Sequence, residues 1–266
     1  MLFDFDDILI EPEIHTNSGD KKLTEVFDEK KMIPLFSFSS DETHKVINDK
    51  GIYSITNNID NNISLDYKNW ISYKPQNFED IFIKNNINIP LGSSAFCLIE
   101  INNINISDVK ELLENSKKIY GRRLTIMIGN CLNPMTYLSL SQSGADYVRI
   151  GDGDLDTNST ETGVGYPMAS LIHETSKIQQ ERNLSSRIVA DFRFKTYSEI
   201  IKSLALGADY IMIREIFNRE DSVWTENFVD LLKSAMNYTD CKTLGEFTGR
   251  VRFNLITENS LKRYKK

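Results

Sequence analysis

Short runs rich in β-branched and aromatic residues recur along this chain, most of them followed by a stretch whose apolar residues return at helical spacing. Residues 33–38 (IPLFSF), 51–56 (GIYSIT), 70–73, 95–101 (AFCLIEI), 124–128 (LTIMI), 146–150, 187–190 (RIVA) and 210–213 (YIMI) read as eight strands. Helices are predicted over 41–50, 78–84, 109–120, 134–143, 168–181, 196–206 and 224–234, with at most a short helix in the Asn-rich stretch 57–69. Ser107 reads as an N-cap and Gly207 as a left-handed helix stop. Eight strands alternating with helical segments predict a single (β/α)8 TIM barrel. An open doubly wound sheet is the alternative, but the count of eight and the absence of any linker favour closure. The expected layout is one domain: a lead-in arm at 1–33 that contributes no core element, a barrel at 34–237, and a C-terminal segment at 238–266.

One stretch draws the chemistry to itself. Residues 144–167 read GADYVRIG, then a glycine- and acid-rich loop, then TGVGYP, and lead into the apolar-periodic helix at 168. A long loop after a parallel strand is where α/β proteins place functional residues.

Composition narrows the classes. The chain has 266 residues, enough for a large core, with 40% hydrophobic and 26% charged residues, as in ordinary globular proteins. A net charge of −7 offers no attractive field to nucleic acid or to an anionic membrane surface, so neither is expected as a partner. The short basic tail KRYKK reads as a solvated end. Cys97, Cys131 and Cys241 lack CxxC spacing, and His15, His44 and His173 are isolated, so neither a metal site nor a disulfide is expected. The acidic start MLFDFDDILIEPE lacks a signal-peptide pattern, and no apolar run reaches membrane-spanning length. A reducing, cytoplasmic setting is the expectation.

Several segments then fall into a familiar order. IMIGNCLNPMTYLSLSQSGADYVRIGDG, TGVGYP, IVAD at 188–191, GADYIMI at 207–213, the stretch 232–263, FDDILIEP at 5–12 and GIYSITNNI at 51–59 together resemble the IMP dehydrogenase/GMP reductase family. TGVGYP and the lack of an inserted domain make the resemblance nearer to GMP reductase. It implies a barrel that binds a purine nucleotide at the C-terminal ends of its strands, with NADPH or NAD beside the base and no metal. It also implies a loop cysteine that attacks the purine C2, followed by hydride transfer. By the same resemblance Asp191 holds the ribose hydroxyls, Glu100 lies near an acidic residue (aspartate in the family) that contacts the nicotinamide carboxamide, and Asn130 faces the cofactor. Polar residues capping strand ends are the competing reading for Glu100 and Asn130. Relatives commonly form homo-oligomers, typically tetramers.

The departures gather at the chemistry. Where the loop cysteine is expected stand Asp156, Thr157 and Asn158, none a thiolate equivalent. Phe192-Arg193 and Arg214-Glu215 replace phosphate-cradling glycines, whose lack of a side chain allows close backbone approach. Arg193 and Arg214 either bind phosphate through guanidinium forks or, for Arg214, pair with Glu215 or Glu220. The segment between Ile213 and Trp224 is too short for the family's closing flap. Asp156, Asn158, Thr160 and Glu161 are candidate loop residues, the last two as water activators. Cys131 is a candidate relocated nucleophile, with packing as a small hydrophobe as its competitor. Two functions follow. One is a divergent purine-nucleotide oxidoreductase homologue without the standard cysteine-dependent reaction. The other is a non-catalytic pseudoenzyme acting in nucleotide sensing, inhibition of a related enzyme, or assembly. A flavin-dependent barrel ranks last, because Arg193 and Arg214 stand where a phosphate-binding glycine pair belongs.

Overall fold

The structure is a computed structural model that describes residues 2–13, 32–39, 43–57, 69–101, 105–151, 153, 163–213 and 223–264. Eight parallel strands close into a barrel: β2 (Leu35–Ser39), β3 (Tyr53–Asn57), β4 (Trp70–Tyr73), β5 (Ala95–Glu100), β6 (Leu124–Cys131), β7 (Tyr147–Ile150), β8 (Arg187–Asp191) and β9 (Tyr210–Ile213). Closure rests on β9 pairing in parallel with β2, with Leu35 opposite Ile211 and Ser37 opposite Ile213. That ladder rules out the open sheet.

Alternation along the strands sorts their side chains into two cores. Inside the barrel lie Phe36, Ile55, Trp70, Leu98, Met127, Val189 and Met212, with Tyr53, Phe96, Tyr147 and Tyr210 packed against them. Aromatic rings fill much of this interior: Phe36 stacks on Tyr53 at 5.0 Å and meets Trp70 edge-on at 5.4 Å, while Trp70 lies 5.2 Å from Tyr147. Such offset and edge contacts match the charge distribution of the rings and leave no pore. The opposite faces of the strands join the helices in a second, larger core.

The helices begin where their capping residues dictate. The Tyr197–Leu206 helix opens with a capping box, Thr196 accepting from the Glu199 amide while the Glu199 carboxylate accepts from the Thr196 amide. It ends at Gly207, whose φ of 116° is open to glycine and strained for other residues. The Ile106–Tyr120 helix corrects one expectation. Its N-cap is Asn105, which accepts from the Ser107 amide at 3.0 Å, so Ser107 lies inside the first turn. The helix expected at 78–84 starts earlier, with Pro75 in its first turn, and continues as a π-helix over Glu79–Lys84. The last barrel helix runs Trp224–Tyr238, beyond the predicted residue 234.

The larger correction concerns the arm. Phe5 and Ile8 are buried, and β1 (Ile8–Ile10) pairs antiparallel with β10 (Phe253–Leu255), so the start and end of the described chain form one small sheet. Buried Lys202 donates from Nζ to the Phe5 carbonyl at 2.9 Å. Phe5 also meets the rings of Phe192 and Phe194, at 6.3 and 6.0 Å, directly beyond the end of β8. The arm therefore contributes Phe5 and Ile8 to the core and braces a loop at the barrel mouth. Of the tail, Lys262 pairs with Glu258 at 3.0 Å on the surface.

If the arm is a core element, Phe5→Ala should lower the unfolding free energy by about 3–5 kcal/mol, the usual consequence of emptying a buried aromatic site. Urea denaturation followed by circular dichroism measures this, and a change below about 1 kcal/mol would contradict the packing described.

Candidate functional site

The same alternation that builds the aromatic interior carries polar side chains to the C-terminal ends of the strands. Two residues beyond Trp70 on β4 comes Ser72; beyond Leu98 on β5, Glu100; beyond Tyr147 on β7, Arg149; beyond Val189 on β8, Asp191; beyond Phe36 on β2, Phe38. These residues share the topmost interior layer, the position where barrels of this architecture hold ligands.

The layer is bonded across strands. Ser72 donates from Oγ to Glu100 Oε1 at 2.7 Å. Arg149 donates from Nη2 to the Asn130 side-chain oxygen, and its Nη1 lies 3.5 Å from Asp191 Oδ2. The guanidinium carbon stands 5.9 Å from the centre of the Phe38 ring. Arg149 is 1% exposed and Asp191 0%. Nε and Nη1 of Arg149 have no hydrogen-bond partner among the described residues. Taking both charges out of water costs several kcal/mol per ion, and good geometry is needed to offset it. A separation of 3.5 Å is longer than the 2.7–2.9 Å of a well-made charge-assisted bond. The pair is thus a poor device for stability alone.

Two glycines make the layer sterically possible. A Cβ on Gly129 would fall 2.5 Å from the Arg149 carbonyl oxygen and 2.6 Å from its Cβ, so only glycine lets β6 and β7 approach here. Gly151, with φ 85°, would bring a Cβ to 2.4 Å from the Asp191 carbonyl oxygen. The end of β7 is in this way nested between β6 and β8.

The sequence-predicted residues divide accordingly. Asp191, Asn130 and Glu100 come together in or beside this layer, with Asn130 and Asp191 joined through Arg149. Arg193 lies on the exposed loop after β8 and donates from Nε to the Gly153 carbonyl at 2.8 Å, tying that loop to the one after β7. Asp156, Asn158, Thr160, Glu161 and Arg214, like the segment expected to lack a flap, lie outside the described residues. Arg149, Ser72 and Phe38 were not singled out by sequence reasoning. For Arg149 the signal was present, since a cation two positions beyond inward-facing Tyr147 must also face inward.

Of the two readings of Cys131, its position is that of a packed small hydrophobe. It packs in the outer core between barrel and helices, fully buried, and donates from Sγ to the Asn133 carbonyl at 3.3 Å. Burial pushes its thiol up to about 11, so the neutral thiol dominates at pH 7. Cys97 and Cys241, the other cysteines of the chain, are buried too, and burial raises both. His173 packs between Phe3 and Phe253, a structural position. Tyr166, within TGVGYP, donates its hydroxyl to Glu174 and so pins the loop's end to the helix that follows. Among the described residues no group of histidines, cysteines and carboxylates could hold a metal, and no helix is long and apolar enough to cross a membrane.

A closed parallel barrel with a bonded polar layer at its C-terminal mouth defines a (β/α)8 protein. The model of the IMP dehydrogenase/GMP reductase domain matches residues 95–229, and the chain belongs to this family. It is 28% identical to an inosine-5'-monophosphate dehydrogenase from Methanocaldococcus jannaschii over 149 residues, 55% of this chain and 28% of that protein. It is 32% identical to human GMP reductase 1 over 96 residues, 35% of this chain and 27% of that one. These matches span less than a third of either relative's length. The fold is shared with inosine 5' monophosphate dehydrogenase from Legionella pneumophila, at a TM-score of 0.75 and 18% identity, covering 97% of this chain and 99% of that one.

The thiol environment makes a direct prediction. At pH 8, iodoacetamide should label Cys131 at least about 100-fold more slowly in the native protein than in urea, because burial suppresses thiolate and blocks access together. Peptide mass spectrometry reads the two rates, and equal rates would contradict the placement of this thiol.

Proposed function

We propose that the chain is a divergent purine-nucleotide oxidoreductase homologue that binds its ligands at the barrel mouth but lacks the standard cysteine-dependent reaction. The observation that carries this reading is the Arg149–Asp191 pair, kept inside the barrel mouth with two guanidinium nitrogens that have no hydrogen-bond partner among the described residues. On this reading Asp191 receives the sugar hydroxyls, and Asn130 and Glu100 face the side where NADPH or NAD would lie. The donor set fits such a cofactor: Glu100 accepts and Asn130 both donates and accepts, as a carboxamide requires. A nicotinamide would supply or accept hydride, while this chain's residues bind and orient. Arg193 and Arg214 are assigned to the phosphate in place of the missing glycines. Phe192 fits this substitution, since its ring packs on Phe5 and leaves Arg193 at the exposed rim.

A non-catalytic role, in nucleotide sensing, inhibition of a related enzyme or assembly, is the second reading. It is favoured by one specific observation. All three cysteines of the chain are buried in the outer core, so none offers an accessible thiol for the covalent adduct.

Purine nucleotides should raise the melting temperature of the wild-type protein, and Arg193→Ala combined with Arg214→Ala should abolish that shift. NADPH oxidation in the presence of GMP, followed at high protein concentration, should stay at background. Steady turnover would overturn the claim of a lost covalent step. Absence of any nucleotide-induced shift in the wild type would leave the assembly form of the second reading.

A further inference from the structure

Strand β7 lies between β6 and β8, and the Arg149 side chain reaches a partner on each. Nη2 bonds Asn130 at the end of β6, and Nη1 faces Asp191 at the end of β8, 3.5 Å away. A guanidinium is a rigid planar fork, so a rotation that improves one contact alters the other. The backbone cannot retreat to relieve this, because Gly129 already lies against the Arg149 carbonyl with no room even for a methyl group. Movement is therefore confined to the side chain. That side chain is also incompletely bonded, with Nε and Nη1 buried and lacking acceptors among the described residues. An unsatisfied buried donor is unfavourable, so a shift of Asp191 that shortened the 3.5 Å contact would be favoured.

We infer that Arg149 is a positioning residue that couples the two halves of the barrel mouth. A ligand hydroxyl that reorients Asp191 draws the guanidinium with it and resets Asn130, and a ligand held by Asn130 acts on Asp191 in return. Arg149 performs this through its neighbours and need touch neither ligand. The inference rests on the proposed reading in which the nucleotide meets Asp191 and the nicotinamide cofactor meets Asn130. Coupling of this kind is reciprocal: each ligand changes the other's affinity by the same factor.

Calorimetry tests it with GMP and NADPH as probes, each titrated into the full chain alone and with the other saturating. The wild type should show an affinity change of at least about fivefold, equal in both directions. In Arg149→Lys, whose ammonium is a point charge that cannot bridge both partners, the factor should fall to about one. Arg149→Met would strand the Asp191 carboxylate in the core and risks misfolding. Asn130→Ala is therefore the second variant, since it cuts only the β6 end of the bridge. It should also bring the factor to about one, even where it weakens NADPH binding itself. Two probes that bind the wild type independently would overturn the coupling while leaving the reading of the site intact. The same holds for a factor that survives in both folded variants. If the wild type binds neither probe, the reading fails and the coupling with it.

Discussion

Placing a guanidinium and a carboxylate inside the mouth of a closed barrel constrains everything around them. Arg149 and Asp191 are both withdrawn from water, and Nε and Nη1 of Arg149 have no hydrogen-bond partner among the described residues. Their geometry demands two glycines, Gly129 and Gly151, so that three consecutive strand ends can press together. It demands a dry floor, which the rings of Phe36, Trp70 and Tyr147 provide one layer below. It also draws Asn130 and Phe38 into contact, so that residues from four strands depend on one cation. Hydrophobic residues of similar volume would give an equal or better core, so stability alone does not account for the polar layer.

The outer wall holds this layer in register. The sheet of β1 and β10 brings the two ends of the described chain together, and Phe5 leans from it onto Phe192 and Phe194. The loop that follows Asp191 is thereby braced from outside while Arg193 ties it to the Gly153 carbonyl on the neighbouring loop. At the other end of the long loop after β7, Tyr166 is fastened to Glu174. Both flanks of that loop are anchored to the scaffold, which is what a site carried on loops requires.

Much of this was legible in the sequence, and the rest was hidden for identifiable reasons. The eight strands stood out because their apolar runs are local signals, and their count pointed to closure. The antiparallel pairing of ILI with FNL was not legible: each run is three residues long, and the partner lies at the far end of the chain. Asn105 and Ser107 are both good capping residues two positions apart, and only the backbone geometry chooses between them. Cys131 follows Asn130 in sequence, yet a register shift between Ile128 and Cys131 breaks the alternation, sending the thiol to the outer core while the asparagine reaches Arg149. Arg149 was overlooked as a letter in GADYVRIG because a motif draws attention to its shape and away from the one charged side chain that must point inward.

Side-chain nitrogen NMR of Arg149 tests most directly whether the buried pair is the floor of a ligand site. Its Nε–H resonance, identified by its loss in Arg149→Lys, reports a buried donor with no hydrogen-bond partner among the described residues. Titration with GMP should move this resonance and slow its hydrogen exchange as Asp191 and the guanidinium close on each other. A resonance that stays unchanged while GMP binds elsewhere on the protein would contradict the account.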